Sequence, residues 1–139
     1  MSEDRLAKLQ ERDRAMREAR DEILRRVGVW LRGRGFAQAG VGHFTRPAGV
    51  HVCRIGFQKL SSGRSVRVMC YISGADTGGD SMVGPWSDSY EGRDSPNGRR
   101  YQFGWSTLEP DMARSTAEYC KYIEEVVLEW FDGRLGNGN

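Results

Sequence analysis

The chain has 139 residues, 38% of them hydrophobic and 29% charged, and a formal net charge of +2. That size and balance are those of one globular domain with a single core. No run of about 18 apolar residues occurs, which excludes a membrane-crossing helix. The three cysteines, Cys53, Cys70 and Cys120, are too few and too far apart for a disulfide framework.

The opening stretch MSEDRLAKLQERDRAMREAR contains no apolar segment of signal-peptide type, so a cytoplasmic location is expected. Charge is unevenly spread: residues 1–72 sum to +8, residues 73–98 to −4 and residues 99–139 to −2. Basic residues are mostly arginine, 18 against three lysines. GC-rich codon usage accounts for such a bias, as does selection for bidentate anion contacts.

Leu9, Met16, Ile23 and Trp30 recur every seven residues, flanked by Leu6, Ala19, Val27 and Leu31, and predict an amphipathic helix over about 3–32. Ser2 and Asp4 suit its start, and Gly33 or Gly35 its end. Its first turns are thinly apolar and are expected to project into solvent or to meet a partner. The glycines of GFAQAGVGHFTRP are no phosphate cradle, since the strand before, the Lys-Ser/Thr after and the following helix of a P-loop are missing. A short strand at 43–46 and longer ones at 50–60 and 65–73 follow.

Residues 74–98 read as a long acidic, glycine-rich loop holding Met82, Val83, Trp86 and Tyr90. Asp76, Asp80 and Asp88 lack the alternate-residue spacing of a calcium loop. Trp86 and Tyr90 suit pinning the loop to the body or anchoring a partner. Tyr101, Phe103 and Trp105 alternate in RRYQFGWS and predict a last strand at 99–106. A C-terminal helix over about 110–132 starts at Pro110, with Glu109 and Asp111 complementing its dipole, and closes at Gly133. The fold class expected is therefore α+β, an antiparallel sheet of about four strands with the two helices packed on one face.

Patterning chooses the register of the central hairpin. Closing it over Ser61–Gly63 pairs Phe57 with Arg67 and mixes charge with apolar side chains on both faces. Closing it over Ser61–Arg64 pairs Phe57 with Val68, Ile55 with Cys70 and Cys53 with Ile72. One face is then almost wholly apolar, and Arg54, Gln58, Arg67, Met69 and Tyr71 share the other. A one-residue slip exchanges faces, so the second register is expected. An antiparallel sheet commonly leaves one face in water. That face is also where Arg54 and Arg67 could hold carboxylates or phosphates bidentately.

Catalytic signatures are missing. His43 and His51 sit in no recognisable catalytic frame, and no Gly-x-Ser-x-Gly elbow occurs. His51, Cys53 and Cys70 lack zinc-ligand spacing, and the cysteines fall on the apolar face, where they read as small hydrophobes. No metal and no cofactor is expected.

The run RGFAQAGVGHFTRP, then IGFQK, VRVMCYI and FGWSTLEPD, resembles the bacterial domain-of-unknown-function family 4304 over residues 24–131. The matching positions are Gly35, Phe36, Phe44, Arg46, Gln58, Lys59 and Trp105. Gly56 and Met69 stand where the family tends to place asparagine. The resemblance implies a binding protein more than a catalyst, some members looking like immunity or accessory proteins encoded beside bacterial toxins.

The expectation is a small cytoplasmic domain that binds a protein partner through Arg54, Gln58, Arg67 and Tyr71 on the sheet and Trp86 and Tyr90 in the loop. Aromatic residues and arginines dominate interface hot spots. The alternative is a small-ligand or nucleotide pocket between sheet and loop. Nucleic acid ranks last, because the basic N-terminal helix interleaves seven acidic residues with its nine basic ones.

Overall fold

A computed structural model of the chain describes residues 2–60, 65–74, 81–88 and 101–136. Helix α1 runs from Glu3 to Gly33 and is capped by Ser2, whose hydroxyl accepts the Arg5 backbone N–H at 3.2 Å. The helix ends at Arg34, and Gly35 takes a φ of 89° that favours glycine. Six strands follow among the described residues: β1 (Ala37–Gln38), β2 (His43–Ala48), β3 (His51–Lys59), β4 (Val66–Gly74), β5 (Ser81–Val83) and β6 (Ser87–Asp88). They form one antiparallel sheet in the order β1-β2-β3-β4, with β5 and β6 each pairing with β4.

The α+β class and the helices at both ends are as expected. The β3–β4 register is the one the hydrophobic pattern selects: Cys53 faces Ile72, Ile55 faces Cys70 and Phe57 faces Val68. All six of those side chains are buried. Against them pack Ile23, Val27 and Leu31 of α1 and Tyr119, Tyr122, Ile123, Val127 and Phe131 of the C-terminal helix, in one contiguous core. At roughly 1.5–3 kcal/mol for each large apolar side chain taken from water, this layer supplies the main driving force for the fold.

Sequence and structure part at the expected last strand. The described part of that segment, residues 101–106, joins no strand. It lies along α2 (Glu109–Tyr122), and helix side chains satisfy its backbone in place of a ladder. Glu118 accepts the Gln102 N–H at 2.9 Å, Ser115 Oγ donates to the Phe103 carbonyl at 2.6 Å, and Arg114 donates to the Gly104 carbonyl at 2.9 Å. The alternation is real, since Tyr101 and Phe103 both point inward, but their partners are the rings of Tyr119 and Tyr122. Phe103 stacks on Tyr119 with centroids 4.6 Å apart.

The C-terminal helix continues from α2 through a π-helical stretch, Ile123–Leu128, into α3, Glu129–Arg134. Gly133 lies inside α3 and closes nothing; the left-handed glycine is Gly136, at φ 70°. Two ion pairs tie the end helices side by side, Arg26 to Glu109 and Arg34 to Glu124, each closing to 2.5 Å. Within the stretch expected as one long loop, Ser81–Val83 and Ser87–Asp88 pair with β4 as β5 and β6. No helix is long and apolar enough to cross a membrane among the described residues.

Candidate functional site

Both helices lie on one side of the sheet, and the opposite face carries the polar residues of β3 and β4. Arg54 and Tyr71 are cross-strand partners there, as are Gly56 and Met69, and Gln58 and Arg67. Such directly opposed side chains are near neighbours on a shared face. The Arg54 Nε donates to Ser73 Oγ at 2.9 Å, which holds the half-buried guanidinium against β4. Tyr71 donates its hydroxyl to the Met69 thioether at 3.2 Å.

Trp86, between β5 and β6, reaches this face, where the Arg67 guanidinium sits 5.0 Å from the centre of its ring. A cation over an indole contributes about 0.5–1 kcal/mol at an exposed site and more when water is excluded. Trp86 therefore pins this part of the chain to β4. Beside it, Arg67, Met69, Tyr71, Val83, Gly84 and Trp86 line a shallow cavity of about 120 Å³. Three of the six residues expected to form a site, Arg67, Tyr71 and Trp86, line it directly. Arg54 and Gln58 adjoin it across the strand pair, Gln58 exposed. Tyr90 lies outside the described residues, as do Asp76 and Asp80.

Among the described residues, this face offers hydrogen-bond donors, cations and apolar surface. The thiols are held protonated: burial pushes Cys70 up to about 12 and Cys120 up to about 11, and raises Cys53 against the opposing pull of Arg46. All three cysteines are free, and Cys53 and Cys70 lie in the core. Among the described residues no group of three His, Cys, Asp or Glu side chains could hold a metal ion.

A second concavity went unread in the sequence. A cleft of about 400 Å³ opens between α1 and the ends of β1, β2 and β3, with Leu24, Gly28, Phe44 and Phe57 among its apolar lining. It draws on residues from Asp21 to Lys59, on four elements, and no local motif joins them.

Comparison with family models, with curated proteins and with solved structures finds no match. The residues of the motif resemblance serve mainly to hold the fold. Phe36 is buried under Arg46, whose guanidinium lies 4.6 Å from the ring centre and donates to the Arg34 carbonyl at 3.1 Å. Gly35 lets the Arg46 stem pass, 3.3 Å from where a Cβ would stand. Phe44 is buried, and Trp105 donates its indole N–H to the Met16 carbonyl at 3.1 Å, tying the segment before α2 to α1. Gly56 and Met69 do face each other, and a Cβ on Gly56 would sit 3.8 Å from the Met69 methyl and 3.7 Å from His43 Nδ1. Asparagines at both positions would meet directly.

Proposed function

We propose that the protein acts by binding another protein through the open face of its sheet, in the cytoplasm, as expected of an immunity or accessory protein that neutralises a toxin. The observation that carries this reading is the division of the sheet. One face is sealed by two helices, while the other gathers Arg54, Gln58, Arg67, Tyr71 and Trp86 around a shallow hollow. Arginine, tyrosine and tryptophan are the residue types that concentrate binding energy at interfaces. The +8 balance of residues 1–72 favours a partner with an acidic surface. The motif resemblance supports the same kind of role.

Among the described residues, the size of the hollow favours a protein partner over a nucleotide at this face. Ligand pockets run to roughly 300–1,000 Å³, and the hollow here is about 120 Å³. It suits a single side chain of a partner.

The test is a tagged pull-down of the full chain from its native host, with and without nuclease, read by mass spectrometry. The expected result is a stoichiometric protein that survives nuclease, is lost in Arg54→Glu/Arg67→Glu and is kept in Arg17→Glu on the exposed side of α1. Retention of that protein by a folded double variant, judged by circular dichroism, would overturn the assignment of this face.

A further inference from the structure

The cleft between α1 and the β1–β2 turn has the size, lining and charge of a small-molecule site. Its volume of about 400 Å³ falls within the range of ligand pockets. Phe44 and Phe57 meet edge to face within it, with centroids 6.0 Å apart and planes at 89°. Gly28 puts no side chain into this space: a Cβ there would lie 3.0 Å from Phe44 Cζ. A mid-helix glycine costs about 0.5–1 kcal/mol relative to alanine, and close approach to the ring is the reason visible here. Val41, at the tip of the β1–β2 turn, lines the same cleft while remaining 92% exposed. An apolar occupant would take it out of water.

The rim is cationic. Arg25 is held bidentately by Glu22, both bonds at 2.8 Å. Lys59 pairs with Asp21 at 3.0 Å, but the same Asp21 oxygen also accepts from Arg20 at 3.0 Å. Arg32 donates at 3.0 Å to Gln38 Oε1, a neutral acceptor, and no carboxylate among the described residues pairs with it. An anion at that point would replace an amide oxygen with a charged acceptor, and charge-assisted hydrogen bonds are roughly twice as strong as neutral ones. One planar guanidinium with uncompensated charge matches one carboxylate.

We propose that this cleft binds a small monocarboxylate with an apolar body, the body lying over Phe44 and Phe57 and the carboxylate meeting Arg32. The site is distinct from the open sheet face and does not depend on it.

The test uses the full chain and two probes of matched length, decanoate below its micellar concentration and decanol, followed by calorimetry and by thermal melting. Decanoate should raise the melting temperature progressively with its concentration. It should bind at least about tenfold more tightly than decanol, the scale of one hydrogen bond to a charged group. Arg32→Gln should bring decanoate down to the level of decanol. Val41→Asp, at a site almost wholly in solvent, should weaken decanoate through repulsion without touching the core. Equal affinity for the two probes, no response to millimolar decanoate, or unchanged decanoate binding in both folded variants would overturn the proposal.

Discussion

Gly84 occupies a place that no side chain can share. A Cβ there would lie 2.7 Å from the Trp130 ring and 2.8 Å from Cys70 Sγ. Its backbone N–H donates to the Cys70 carbonyl at 2.9 Å, and the Cys70 thiol donates to the Pro85 carbonyl at 3.1 Å. Overpacking of this kind costs roughly 1–3 kcal/mol. Gly84→Ala should therefore lower the melting temperature by several degrees. Gly133→Ala, with nothing within 4 Å of the new methyl, should leave it unchanged or slightly raised. Neither result can be read from the sequence, where both are simply glycines near a turn or a helix end. What separates them is a tryptophan some 46 positions away in the chain.

At the scale of elements, legibility depended on how many alternatives a pattern could exclude. The β3–β4 register was readable because a slip by one residue would have set Phe57, Ile55 and Cys53 beside Arg67, Met69 and Tyr71. Arg54, Gln58, Arg67 and Tyr71 were placed on one face by the same argument. Alternation failed for Tyr101, Phe103 and Trp105 because an extended chain against a helix alternates as a strand does. What distinguishes the two is the hydrogen-bond partner, and here the partners are Arg114, Ser115 and Glu118 of α2. Ser115 is fully buried and bonds the Phe103 carbonyl. Ser115→Ala strands that acceptor and should cost about 1–3 kcal/mol. Thr116→Val serves as the comparison, since the Thr116 hydroxyl returns only to the Met112 carbonyl of its own helix and should cost less. Urea midpoints at constant slope would measure both. The cleft beneath α1 escaped the sequence for another reason: its lining spans a helix, a turn and two strand ends, and only the packed fold assembles them.

Across the whole molecule, the ion pairs and hydrogen bonds of acidic side chains on the end helices favour the folded chain less as pH falls. Arg25 and then Arg26 hold the Glu22 carboxyl down at about 2, Arg26 lowers Glu109, and Ser106 followed by Arg114 lowers Asp111. Each of these groups binds its proton less readily in the folded chain than in the unfolded one. Their stabilisation is thus complete above the unfolded carboxylate range, at about pH 4.5, and is lost as pH falls toward 2. Melting temperature should be level near neutrality and fall between these limits. Glu22→Gln/Glu109→Gln should flatten that fall. Added salt should shrink the difference between variant and parent, because the pairs are solvent-exposed and screened. An acid limb identical in parent and double variant would show that other carboxylates set it.

The covering of the sheet by the last helix also bears on how the chain is made. Tyr119, Tyr122, Ile123, Val127 and Phe131, which close the core over Ile55, Val66 and Val68, all come after Glu109. A ribosome therefore completes the strands well before it delivers the side chains that seal them. During that interval the nascent chain presents an oily, strand-rich surface, a natural target for holding chaperones and the stage of its life at which it is most prone to aggregate.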